Sequence, residues 1–292
     1  VEIGVILPGV ASGLDVRVAA RHAEQAGLDG VWLGDHLATG APTLDITVGL
    51  ATAAAVTERV TIGASVFVPA IRPVAWAAKQ VASLQYVSGG RLVLGVGSGG
   101  GEEQWAAAGV PYKQRGRRTD TALELLPRLL AGEAVRLADE PGRPVVTLAP
   151  AVPVPPIWVG NASPPAIRRA ARFGDGWFPS LIPPGELASG AATLAELADG
   201  YGRPAPAITI GATGALGKAA PGREEIAAAI GGSYGMAHER ALTLPITGTP
   251  QEAAERLAAY REAGARCVVL GFAGGDWREQ CDLLAEVRAL LR

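Results

Sequence analysis

The stretch Val60–Gly101, VTIGASVFVPAIRPVAWAAKQVASLQYVSGGRLVLGVGSGGG, decides how this chain is read. Val60–Val66 is a run of β-branched and small residues that reads as a strand. Pro73 then opens a helical pattern in which Val74, Ala77, Ala78, Val81 and Leu84 share one face. Leu92–Val96 is a second apolar strand, and it empties into five glycines between Gly95 and Gly101. Strand, helix, strand is the unit of a parallel sheet with a right-handed crossover. Both strands deliver bare backbone to one end of that unit, as a large planar ligand lying against the main chain requires. A mobile loop is the other reading of the glycines.

The same alternation runs outward in both directions. Further strand runs fall at Ile3–Leu7, Gly30–Leu33, Ile157–Val159, Gly176–Phe178, Ile208–Gly211 and Cys267–Gly271, eight in all with the two above. Between them, Val16, Ala19, Ala20, Ala23 and Ala26 form an apolar helix face ending at Gly27, and Ala122–Leu130 forms another, with Pro127 expected to kink it. Thr249-Pro250-Gln251-Glu252 is a capping box, and Asp276 opens the last helix. Eight strand–helix units in 292 residues predict a single-domain (β/α)₈ TIM barrel over residues 1–292. The spacing breaks near 134–155 and 217–246, which are expected insertions, the second with its own helix near Glu224–Ile230.

Composition narrows the class. Aromatics make up only 5% of the chain, so Ala, Gly and Val carry the apolar count and imply close helix-on-sheet packing. A net charge of −2 without a basic stripe argues against nucleic acid, and no apolar run is long enough for a membrane span. The N-terminal residues read as a first strand rather than a secretory leader, and Cys267 and Cys281 stand apart as isolated thiols. The expectation is a cytoplasmic protein acting on a small molecule.

In a barrel the chemistry gathers where strands end at their C-termini. Asp35 and His36 follow strand two and form the acid/base candidate; His22 and His238 read as structural or solvated. Ser65, Val66 and Arg72 follow strand three; Ser98, Gly99, Glu102 and Glu103 follow strand four. Gly160, Asn161 and Ser163 follow strand five, just before a helix, which suits an anion held by free amides and the helix dipole. A simple helix start is the alternative there. Gly97-x-Gly99 lacks the acid that a dinucleotide fold places about 20 residues on. No HExxH, H-x-H, G-x-S-x-G or P-loop occurs, so no metal site is expected, and acyl and phosphoryl transfer lose support.

Several motifs resemble the bacterial luciferase-like superfamily: Trp32–His36, Pro69–Val87, Ser88-Gly-Gly-Arg-Leu-Val-Leu-Gly-Val-Gly97, Gly109–Arg117, Ala170–Trp177 and Gly248-Thr-Pro250. The resemblance implies a barrel binding FMN or the deazaflavin coenzyme F420 at its C-terminal face, for monooxygenation or hydride transfer, and a homodimer. It also implies a non-prolyl cis peptide at Ser65-Val66 backing the ring, the Asp35-His36 pair at the ring's reactive edge, Ser98 beside it, and Gly160-Asn161 at the phosphate. One branch, the sugar-phosphate dehydrogenases, carries a glutamate where this chain has Gly100; Glu102 and Glu103 are shifted from that place. The leading expectation is therefore F420-dependent hydride transfer to or from a small organic substrate, with an FMN-dependent two-component monooxygenase as the alternative. A non-catalytic flavin-binding barrel, or a cofactor-free hydrolase using Asp35, His36 and Glu102, are readings from other classes. Substrate contacts are expected in Leu37–Thr43, Glu102–Tyr112, Leu181–Glu186 and Gly217–Pro245.

Overall fold

The computed structural model describes residues 1–37 and 40–291, so Ala38 and Thr39 of the expected substrate loop lie outside the described residues. Eight parallel strands form the barrel: β1 (Glu2–Ile6), β2 (Gly30–Leu33), β3 (Thr61–Phe67), β4 (Leu92–Val96), β5 (Ile157–Gly160), β6 (Gly176–Phe178), β7 (Ala207–Leu216) and β8 (Cys267–Phe272). Each pairs with the next, from Gly4 opposite Gly30 round to Cys267 opposite Thr209, and Glu2 opposite Cys267 closes the ring. This is the (β/α)₈ TIM barrel expected from the alternation.

The inside of the barrel is filled by few, large side chains. Trp32 stacks on Trp158 at 5.3 Å between centroids, and Phe178 meets both edge-on. Gly4, Gly30 and Gly63 make room for Trp32, since a Cβ on Gly63 would lie within its ring. Outside the strands, buried Ala19, Ala20, Ala23, Ala53, Ala77, Ala78, Ala170 and Ala171 let the helices approach the sheet closely, as the alanine-rich composition implies.

The far, N-terminal end of the barrel is held by the Ser88–Arg91 motif. Helix Val74–Val87 ends at Ser88, and Gly89 and Gly90 take left-handed φ values of 65° and 84° that turn the chain into β4. Arg91 then donates to the carbonyls of Ser88, Val60, Ala54 and Thr57 and to the Thr57 hydroxyl, at 2.8–3.0 Å. Opposite it, Glu24 accepts the N–H groups of Glu58, Arg59 and Val60.

Local signals resolve as follows. The capping box at Thr249/Glu252 forms, Asp276 caps the last helix, and Gly27 takes the left-handed C-cap. The helix containing Pro127 runs without a break over Arg115–Leu130. The 134–155 insertion is an antiparallel pair, Val135–Arg136 with Val145–Val146. The 217–246 insertion carries helix Arg223–Tyr234 and a short helix His238–Ala241. β7 is longer than Ile208–Gly211 because its second half pairs with an added strand, Ile246–Gly248, a three-residue run too short to read as sheet. Among the described residues no helix is long and apolar enough to cross a membrane, and none forms a metal-ligating group.

Candidate cofactor site at the C-terminal face

A single cavity of about 1350 Å³ opens at the C-terminal ends of β2 to β7. All nine residues singled out for the site line it: Asp35, His36, Ser65, Val66, Ser98, Gly99, Gly160, Asn161 and Ser163.

Its floor is backbone. The peptide joining Ser65 to Val66 is cis, and the register between β3 and β4 shifts there, between Ala64 and Phe67. Val66 is thereby turned towards the ends of β4 and β5. A Cβ on Gly97 would run into its Cγ2, and one on Gly160 would sit 2.9 Å from its Cγ1. Glycine at both places makes room for the Val66 side chain, which packs across the ends of β4 and β5. Beside it, the N–H groups of Ser98 to Gly101 have no acceptor among the described residues. The buried Trp105 indole Nε1 is likewise without a partner, and it lies 3.1 Å from where a Gly99 Cβ would stand.

Asp35 is held in an ion pair. Its carboxylate is 4% exposed and accepts Arg72 Nη1 at 2.6 Å, Arg72 Nη2 at 2.8 Å and the Val68 N–H at 2.9 Å. Arg72 Nη1 also donates to the Val68 carbonyl, and its guanidinium lies over the Phe67 ring. Arg118 in turn donates to the carbonyls of Ala70 and Arg72. Both oxygens are thus engaged, Oδ2 by the Arg72 guanidinium and the Val68 amide and Oδ1 by the guanidinium, which ties Asp35 to the backbone that follows Val66.

His36 is exposed at the cavity wall. A Cβ on Gly34 would be 2.9 Å from His36 Nε2 and 3.4 Å from the Ser65 carbonyl oxygen, so the imidazole and the cis peptide are neighbours of the same glycine. Glu102 and Glu103 are exposed on helix Glu102–Ala107 and do not line the cavity, so the hydrolase reading loses its second carboxylate. His22 bonds Asp282 at 2.9 Å, and His238 lies 3.1 Å from Glu224, both away from the site. Burial pushes the Cys267 and Cys281 thiols up, which leaves them unreactive.

The Gly160–Ser163 loop is narrower as an anion site than the sequence implies. Pro164 and Pro165 occupy the first two helical positions and have no N–H, and Ala166 N–H is spent on the Ser163 carbonyl. Asn161, with φ of 86°, turns its Oδ1 to the Ser163 N–H at 2.8 Å. The Ala162 N–H and the Ser163 hydroxyl remain, with the helix dipole behind them. The cations Lys113, Arg115 and Arg169 also line this end of the cavity. Their proximity was not legible in the sequence, where Lys113 and Arg115 belong to a basic run whose position at the barrel mouth depends on the crossover.

The strand ends of this parallel barrel thus bring glycine backbone, unpaired amides and a histidine to one cavity. The model of the luciferase-like monooxygenase family matches residues 11–230, and the chain belongs to that family. It is 37% identical over 201 residues to an F420-dependent glucose-6-phosphate dehydrogenase of Beutenbergia cavernae, a match covering 60% of this chain and 59% of that protein. The chain thus spans about three fifths of the length of the curated relatives it matches. Among solved structures, an F420-dependent secondary alcohol dehydrogenase in complex with an F420-acetone adduct superposes with a TM-score of 0.85, over 100% of this chain and 99% of that one, at 18% identity. The FMN-bound oxygenating component of a diketocamphane monooxygenase from Pseudomonas putida gives 0.78 over 97% and 96%, at 17% identity. At these identities the two structures speak to the fold.

Proposed function

We propose that the chain is an F420-dependent oxidoreductase that moves a hydride to or from a small organic substrate. The observation that carries the reading is the cavity of about 1350 Å³ whose floor is formed at three strand ends by Val66, Gly97 and Gly160, with the free N–H groups of Ser98 to Gly101 beside it. That lining fits a three-ring system lying across the strand ends. Val66, Gly97 and Ser98 would hold the ring, and Ala162 N–H and the Ser163 hydroxyl the phosphate. Bound there, the deazaflavin supplies a ring carbon that accepts or gives up hydride. The protein's own part is binding, orientation and proton handling. Asp35 and Arg72 keep Val68 and the floor in place, and His36 holds or takes the proton that accompanies the hydride.

The choice of the deazaflavin over FMN is supported by the Asp35-His36 pair and the Ser65–Arg72 run, and by relatives whose names carry F420. Titration of the purified protein with F420 and with FMN, followed by fluorescence quenching, separates the two. Preferential FMN binding overturns the choice in favour of the two-component monooxygenase, and F420 binding without turnover leaves a non-catalytic barrel. His36→Ala should lower turnover by about 10²–10⁴-fold with little loss of F420 affinity; equal losses in both would make His36 a binding residue.

We also propose a homodimer. Trp76, 67% exposed, and Val87, 54% exposed, lie on one face of the same helix with Gln80 and Ser83 between them, and a second copy packed there would cover both apolar side chains. Light scattering that returns a monomer removes this part of the reading.

A further inference from the structure

The cavity is divided by charge. Every Lys and Arg that lines it is at one end: Lys113 and Arg115 at the start of helix Arg115–Leu130, and Arg169 on the helix after β5. Arg115 lies over the Tyr112 ring at 4.0 Å, and Arg169 is paired with Asp120 at 2.6 Å, which leaves Lys113 as the exposed cation there. This is the end that also holds the Ser163 hydroxyl.

The other end, formed by β6, β7 and the 217–246 insertion, presents Phe178, Ser180, Gly211, Ser233 and Tyr234 and neither Lys nor Arg. Of the basic residues in the insertion, Arg240 is paired with Glu186, Arg223 donates to the Leu242 carbonyl at 3.2 Å, and Lys218, exposed just after β7, does not line the cavity. The positive charge of Arg72 is cancelled by Asp35. Apart from Lys113, Arg115 and Arg169, the titratable side chains among the described lining residues are Asp35, His36, Tyr112 and Tyr234.

A phosphate monoester carries close to two negative charges and is bound where Arg, Lys or a row of amides meets it; desolvating it against hydroxyls and a phenyl ring is costly. Building on the reading above, we propose that the β6–β7 end takes an uncharged substrate, an alcohol or carbonyl compound with an apolar flank against Phe178. The cavity then has one anion subsite, at Lys113, Arg115 and Ser163, and the cofactor uses it. The chain therefore does not share the sugar-phosphate substrate for which its Beutenbergia cavernae relative is named.

The test separates this from the cofactor assignment. F420 titration comes first, and failure to bind sinks the proposed function by itself. Inorganic phosphate and glucose 6-phosphate are then titrated by calorimetry into the protein with and without saturating F420. Phosphate should bind the free protein, compete with F420, and weaken severalfold in Lys113→Ala. Neither anion should bind the F420-loaded protein, and turnover should be found among neutral secondary alcohols or ketones and not with glucose 6-phosphate. Binding of either anion to the loaded protein, turnover of glucose 6-phosphate, or no phosphate binding to the free protein each overturns the division.

Discussion

Arg72→Met tests whether the Asp35 carboxylate is a structural anchor. In the parent, that carboxylate receives two guanidinium N–H bonds at 2.6 and 2.8 Å and one amide at 2.9 Å, at 4% exposure. Met keeps much of the arginine's bulk over Phe67 but leaves a buried carboxylate with a single amide, a loss of about 3–5 kcal/mol. At this chain length a loss of that size lowers the melting temperature by roughly 5–8 °C. Asp35→Asn still offers Val68 an acceptor, and Arg72 keeps its bond to the Val68 carbonyl at 2.9 Å, so its loss should be nearer the 1.5–3 kcal/mol of one charged hydrogen bond. The double variant removes both charges together and should cost less than the two singles summed, by about 0.5–3 kcal/mol. Urea denaturation of the parent and three variants gives the cycle. Strict additivity, or Arg72→Met within about 1 kcal/mol of the parent, refutes the anchoring role. Arg72 does not line the cavity, so a loss of F420 affinity in folded Arg72→Met reports displacement of the floor rather than of a ligand contact.

Gly160→Ala would set a Cβ 2.9 Å from Val66 Cγ1; it should cost about 1–3 kcal/mol and weaken F420 binding, and unchanged affinity in titration would remove Gly160 from the ring's contacts. Burial works against the Glu24 carboxylate, but the N–H groups of Arg59, Val60 and Glu58 hold its pKa below the ordinary glutamate value. Its stabilisation is thus present above the unfolded pKa and lost as pH falls through the folded one, so the gap between parent and Glu24→Gln, about 1–3 kcal/mol at neutral pH, should close in acid; a gap independent of pH in denaturation series contradicts this. Arg91→Lys replaces a fork that reaches four carbonyls by a point donor and should cost about 2–4 kcal/mol, with F420 affinity unchanged wherever the variant is folded; weakened binding would show that the far end of the barrel is coupled to the site.

The barrel was legible because its signals are local. Strand runs of three to seven residues, the capping box at Thr249 and the stop at Gly27 each act within one or two turns of chain. The added strand Ile246–Gly248 was not, because Ile-Thr-Gly pairs only once the insertion returns it beside β7. At the site, the residues read from the sequence line one cavity, since topology alone brings strand ends together. The ion pair of Asp35 was not legible, because the arginine that holds the carboxylate lies 37 positions away. It overrated the Ser163 helix start, although the reason was present in the chain: Pro164 and Pro165 remove the donors that a helix N-terminus otherwise offers.

The two arginines that most shape this barrel, Arg72 and Arg91, divide its two ends between them. Arg91 gathers carbonyls from the loops entering β3 and β4, on the end where conserving the scaffold is the only demand. Arg72 spends its charge on Asp35 and Val68, on the end where the main chain itself is the binding surface. A floor built from Val66, Gly97 and Gly160 has few side chains to exchange when the ligand changes; moving the strand end is the other way to adjust it. The buried ion pair therefore sets the shape of the floor, while the loops beyond β6 and β7, which it does not touch, are free to define the substrate.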